Sequence, residues 1–167
     1  MFILGINAYH GDSSCCILKD GQLIGAVEEE RFRRIKHWAG FPSESIKYCL
    51  SEAGVQLSDI DHIAINQNPK ANLFKKITYS VLKRPELSFI LDRIINKKKR
   101  AGVKAELLKA FPENSFKGKV HYVEHHLSHV ASSFYVSPFK KAVVVSVDGF
   151  GDFSSTAVGI GIDNKIR

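Results

Sequence analysis

The sequence predicts an α/β domain, and three observations predict it. Short apolar strands open the chain, helical periodicity fills its middle, and strands return towards its end. One late segment, Ala142–Val147, is a valine-rich run, the pattern of a strand buried on both faces. The opening stretch Ile3–Leu23 also resembles Val144–Ile166, which points to one structural unit used twice.

The elements follow in order. Phe2–Asn7 is apolar and ends in the polar turn Ala8–Asp12. Ser14–Leu18 is a second apolar run, closed by Asp20-Gly21, a strong hairpin dipeptide, and Leu23–Val27 is the third strand. Ile46, Cys49, Leu50 and Ala53 recur at helical spacing, with Ser43 and Ser45 available as caps and Gly54 as the stop. Ile60–Ile65 reads as a short strand. From Pro69 to Pro112 the pattern is helical, and Pro85 forces a break. Leu87, Ile90, Leu91, Ile94 and Ile95 form one amphipathic stretch; Val103, Leu107, Leu108 and Phe111 form another. Val120–Val123 is a strand leading into a helix at Glu124–Tyr135. The polar turn Asp148–Asp152, a strand near Ser154–Ile162 and another after Asn164 complete the chain.

Composition narrows the class. With 167 residues, 44% hydrophobic and 25% charged, the chain can build one ordinary core of the globular kind. No apolar run reaches the ~18 residues of a membrane span, and the N-terminus lacks the basic region of a secretory signal. Three cysteines, two of them adjacent at Cys15 and Cys16, make no disulfide framework and read as small buried residues in a reducing cytosol. A cytoplasmic location is the expectation. The net charge of +7 owes much to Lys75–Lys104, including Lys97-Lys98-Lys99-Arg100. Without interleaved aromatics this stretch reads as a solvated helical face rather than a nucleic-acid surface.

In the repeat, Ser13-Ser14 falls on Ser154-Ser155, Asn7 on Asp148, and the hairpin at Asp20-Gly21 on Asp163-Asn164. This predicts a first unit over residues 1–140, with a Lys-rich helical insertion at about 69–112, and the start of a second unit over 141–167. On this reading the second unit is cut after its first hairpin and the chain is a fragment.

The segment His125–Phe134 carries the main chemical signal. At ~100° per helical residue, His125, His129 and Ser132 share one face, while Leu127, Ala131 and Phe134 form the opposite, apolar stripe. An i, i+4 histidine pair is the spacing by which one helix offers two imidazoles to one metal ion. His126 stands where a zinc protease would have glutamate, so that chemistry is excluded. Asp148, at the end of a predicted strand, supplies a carboxylate, and two imidazoles with a carboxylate suit Fe(II), Zn(II) or Mn(II).

Asp148-Gly149-Phe150-Gly151-Asp152 is expected to turn tightly and to present backbone N–H groups to an anion. Asn7–Asp12 is its counterpart in the first repeat. No G-x-G-x-x-G opens a helix, which excludes a dinucleotide fold. The cluster Glu28-Glu29-Glu30-Arg31-Phe32-Arg33-Arg34-Ile35-Lys36-His37 reads by itself as solvated loop; beside a phosphate site, Lys36 or an arginine would be a fair ligand.

Four stretches, GINAYHGDSSCCILKDG, EEERFRRIKH, VEHHLSHVASSFY and VSVDGFGD, together resemble the NodU/CmcH family of O-carbamoyltransferases, in the family's order. The resemblance implies a two-lobed fold of the actin/Hsp70/sugar-kinase type, built from RNase-H-like halves. Here that means a first lobe with a helical insertion and the first β-hairpin of a second lobe. It implies transfer of a carbamoyl group from carbamoyl-adenylate, made from carbamoyl phosphate and ATP by a separate domain, to the hydroxyl of a small-molecule acceptor. His125, His129 and Asp148 would then bind a divalent metal, with iron the usual assignment and a further carboxylate ligand beyond Arg167. Lys36, Gly149 and Gly151 would contact the nucleotide. His10, with Asp12 beside it, would be the base, although many relatives carry the histidine directly before the aspartate, whereas here Gly11 intervenes. The isolated chain would lack activity without its second lobe and adenylate-forming domain. Two other readings stay open: an ATPase or kinase lobe of the same superfold, and a basic non-catalytic binding module.

Overall fold

A computed structural model describes residues 1–83, 102–113 and 115–167. The predicted helical stretch Leu87–Ile95 and the basic run Lys97–Arg100 lie outside the described residues. The chain divides into two compact units, Met1–Ile65 with Leu87–His121, and Asn66–Glu86 with Tyr122–Arg167. No helix among the described residues is long and apolar enough to cross a membrane.

In the first unit, β1 (Phe2–Asn7), β2 (Ser14–Lys19) and β3 (Gln22–Glu28) form an antiparallel meander. Asp20 and Gly21 both have positive φ, 51° and 85°, the backbone that a tight hairpin turn with right-handed strand twist requires. β4 (His62–Ile65) joins β1 in parallel, and β5 (Lys119–Tyr122) completes the order β3-β2-β1-β4-β5. A three-stranded meander extended on its β1 side by later strands is the RNase-H-like arrangement expected of this α/β chain.

Strand alternation places Leu4, Ile6, Cys15, Ile17, Ile63 and Ile65 in the core. The helix α1 is one turn, Glu30–Arg33, and α2 spans Ser43–Ala53. α2 adds Ile46, Cys49 and Leu50 to the core, and Gly54 ends it at φ 63° with its N–H on the Leu50 and Ser51 carbonyls. Helix α3 is Leu73–Lys83 and belongs to the second unit; α4, Val103–Ala110, buries Val103 and Leu107 against the first core. Leu108, predicted on the same stripe, is exposed.

The acidic cluster differs from its expected solvated state. Glu29 is fully buried, and its carboxylate accepts hydrogen bonds from the Glu44 N–H (3.2 Å), the Ser45 N–H and the Ser45 hydroxyl (both 2.8 Å). It thus caps the free N–H groups of α2, the role expected of Ser43 and Ser45. Arg33 donates to it at 2.8 Å and lies over the Trp38 ring at 4.6 Å. A buried carboxylate is tolerated here because a guanidinium and a helix N-terminus both face it.

In the second unit, β6 (Lys141–Gly151), β7 (Ser154–Ile162) and β8 (Lys165–Ile166) form another antiparallel meander, and α5 (His125–Phe134) packs on it. Three expectations change. The run Ala142–Val147 is covered on one face only: Val144 and Ser146 are buried, whereas Val143, Val145 and Val147 are exposed. The tight turn lies at Asp152 and Phe153, both with positive φ, and β6 continues as an irregular edge through Gly149 to Gly151, neither of which has positive φ. The packing face of α5 is His126, Val130 and Phe134, with Leu127 exposed, because the sheet lies about one helical position round from the predicted stripe. Gly161 leaves room for Phe134, whose ring a Cβ there would meet at 2.6 Å.

Candidate metal centre

Two features of the sequence hold α5 in place. Glu124 acts as its N-cap, its carboxylate accepting from the Leu127 N–H at 2.7 Å. The carboxylate of Asp152, at the β6–β7 turn, accepts from the His125 N–H at 3.0 Å and from the Asn68 N–H at 2.7 Å. His126 then fills the inner face. Its Nε2 lies 3.0 Å from the Ser154 carbonyl, which can only accept, so in the neutral ring Nε2 carries the hydrogen. Nδ1, 3.0 Å from the Ser146 hydroxyl, accepts from it. The histidine between the two singled out by spacing is therefore a satisfied core residue that sets the rotation of the helix.

That rotation brings His125 and His129 over Asp148. The Nε2 of His125 is 2.7 Å from Asp148 Oδ2, the Nε2 of His129 is 3.1 Å from the same oxygen, and the two nitrogens are 3.1 Å apart. Among the described residues, these three form the group of three or more donor residues whose ligand atoms lie within metal-binding reach of one another. A triangle of about 3 Å on each side is what three ligands at ~2.1 Å make around one ion at roughly 90–100°. The donor set fits a borderline divalent cation and leaves further positions open.

Asp148 is tuned for this. The hydrogen bond from His125, and next the N–H of Gly149 at 2.7 Å, hold its carboxyl down to about 2. It is a carboxylate at any neutral pH. Gly151, predicted to line a nucleotide, has a second use: a Cβ at this position would overlap the His125 ring. Gly149 has nothing within 4 Å of where its Cβ would stand.

The other predicted site residues lie in the first unit. His10 and Asp12 occupy the β1–β2 connection, and Lys36 is exposed in the turn after α1. This connection is zipped to residues 38–40: Tyr9 N–H donates to the Gly40 carbonyl and Ser13 N–H to that of Trp38. Asn7 holds the connection from within, donating from Nδ2 to the Asp12 carbonyl at 3.0 Å. The consequence is a pair that sequence reasoning missed: Nδ1 of His37 is 2.9 Å from Asp12 Oδ1. His37 stands at the end of the EEERFRRIKH stretch, but only folding shows which carboxylate it meets.

Comparison with known proteins identifies the family. The family model described as carbamoyltransferase N-terminus matches residues 2–167. The uncharacterized protein sll1178 of Synechocystis sp. is 38% identical over 98% of this chain and 28% of its own length. Nodulation protein NolNO of Sinorhizobium fredii is 35% identical over 96% of this chain and 23% of its own. The chain thus spans about a quarter of the length of the curated relatives it matches. Among solved structures, ROK hexokinase from Thermus thermophilus is similar with a TM-score of 0.49 at 11% identity, covering 99% of this chain and 47% of that one. YeaZ from Pseudomonas aeruginosa is similar with a TM-score of 0.47 at 15% identity, covering 99% of this chain and 63% of that one. On the match over nearly all its residues, the chain belongs to the carbamoyltransferase N-terminus family.

Proposed function

We propose that this chain supplies the metal-binding part of an O-carbamoyltransferase, which moves a carbamoyl group from carbamoyl-adenylate to an acceptor hydroxyl. The observation that carries the reading is the convergence of His125, His129 and Asp148 on one point, within a chain of this family. Those three residues hold a divalent cation, iron by the family resemblance, with β6–β8 as the opening of a second lobe. When bound, the ion supplies a Lewis acid for the carbonyl or phosphate oxygen of the donor. The chain's own part is positional. Glu124, Asp152 and the His126–Ser146 hydrogen bond fix α5, so that both imidazoles reach the ion without reorganisation.

Proton acceptance falls to the β1–β2 connection and to His37, which it meets from the loop after α1. Asp12 faces Nδ1 of His37, so the ring hydrogen sits on Nδ1 and Nε2 is left as the basic atom, the logic of a histidine oriented by a carboxylate. His10 is the second candidate on this connection. Lys36 would offer the nucleotide's phosphates a point charge. Gly149, with nothing within 4 Å of where its Cβ would stand, would let a phosphate approach the backbone, and Gly151 lies on the same stretch.

The test is metal content after anaerobic reconstitution with Fe(II), read by elemental analysis. Wild type should retain about one equivalent, and His129→Ala or Asp148→Asn should lose it, since each removes one of three ligands. Equal and negligible content in wild type and variants would sink the metal assignment.

A further inference from the structure

A second pair of imidazoles stands in the first unit, unconnected in sequence with the first. His62 opens β4 and His121 lies in β5, neighbouring strands of the five-stranded sheet. Fifty-nine residues separate them, yet Nδ1 of His62 and Nε2 of His121 are 3.1 Å apart, with ring centroids at 5.0 Å and planes at 65°. The backbone under them is fixed by the Lys119 N–H donating to the Asp61 carbonyl at 2.9 Å, and Asp61 N–H donating to that of Phe2 at 3.1 Å. Gly118 admits this approach, because a Cβ there would overlap the carbonyls of Ile60 and Asp61.

We propose that His62 and His121 form a separate, two-imidazole binding site for a borderline divalent transition cation, of the zinc, nickel or copper class. The distance argues for it. Two nitrogens bound cis to one ion at ~2.1 Å stand roughly 3.0–3.4 Å apart, and 3.1 Å falls within that span. The two strands hold the rings at this spacing before any ion arrives, so little rotamer freedom is lost on binding beyond a small rotation of each ring. β5 is the edge strand of its sheet, and His121 is exposed, so water can complete the coordination. Nitrogen donors select against Mg²⁺ and Ca²⁺, which prefer oxygen. A bound ion would bridge β4 to the edge strand β5 and stabilise that pairing by mass action.

The experiment uses Zn²⁺ as the probe and the untagged chain in a His129→Ala/Asp148→Asn background, which removes the first cluster. Equilibrium dialysis should give one equivalent of bound zinc, lost on adding either His62→Ala or His121→Ala, and not reduced further when both are changed. Mg²⁺ at the same concentration should leave the zinc occupancy unaltered. Retention of the equivalent in both single variants overturns the proposal, as does zinc that Mg²⁺ displaces. If an alanine variant loses its fold, imidazole ¹⁵N spectra of the parent chain decide. His62 and His121 resonances shifting together at one equivalent support the site, and shifts at only one ring or at neither refute it.

Discussion

The two meanders, β1–β2–β3 and β6–β7–β8, have the same connectivity and place their polar groups differently. In the first, regular pairing ends at Asn7 with Ser14, and a six-residue connection, Ala8–Ser13, carries His10 and Asp12. In the second, regular pairing ends at Val147 with Thr156, and the strand continues irregularly to a two-residue turn at Asp152–Phe153. Asp148 therefore sits on a strand, one residue past its last regular pair, whereas Asp12 sits on a connection held by hydrogen bonds to residues 38–40. A long connection needs a second loop to fix it, and so recruits His37. The irregular strand holds its carboxylate with the next residue's N–H and with two imidazoles of a helix. The same hairpin thus serves as two kinds of mount.

Substitutions can break this comparison, and the largest effect should come from Glu29→Ala. It removes the acceptor for two N–H groups of α2, the Ser45 hydroxyl and Arg33, directly after the first meander. A loss of about 3 kcal/mol in urea unfolding is expected, because buried donors are left without partners. A change below about 0.5 kcal/mol would mean that the first meander stands without its carboxylate anchor.

Next is a contrast within the second meander. Gly151→Ala should cost about 2 kcal/mol and weaken metal retention, since the new methyl collides with the His125 ring. Gly149→Ala, with nothing within 4 Å, should stay within about 0.5 kcal/mol of wild type. Equal effects of the two, measured by thermal unfolding and metal content, would show that the strand edge is not shaped around His125.

A smaller change, about 1 kcal/mol, is expected from Ser146→Ala, which removes the donor to buried His126 Nδ1. Denaturant midpoints of the metal-free chain would read it. The least effect on stability belongs to Asp148, because it is exposed, and pH reveals it. Its folded-state pKa lies below its ordinary 3.8, so the bond with His125 stabilises fully above that value and fades as pH falls towards about 2. Carbon NMR of the metal-free chain should place its titration near 2, and His125→Ala should move it up towards 3.8. A titration unmoved by that change would break the pairing.

Much of this molecule is legible in its residues. The turn at Asp20-Gly21, the end of α2 at Gly54, the strand β1 and the helix that presents His125 and His129 all follow from local chemistry, because a dipeptide, a glycine and a periodicity each act within a few residues. The family match extends that legibility to the family to which the chain belongs.

What the residues left open shares one cause. Glu29 looks like one glutamate among three until α2 brings its N-terminus to it. Val143, Val145 and Val147 look buried because apolarity says nothing about which face a neighbour covers. The rotation of α5 was set by Ser146 and Ser154 on the far strands rather than by its own apolar stripe. His37 with Asp12, and His62 with His121, are pairs separated by 25 and 59 residues. The sequence by itself determined most strands and helices of the described residues, the turn at Asp20-Gly21 and the i, i+4 histidines, since those depend on short-range sterics and hydrogen bonds. Only the tertiary structure decided which polar groups meet, because a charge or an imidazole finds its partner through the packing of distant segments.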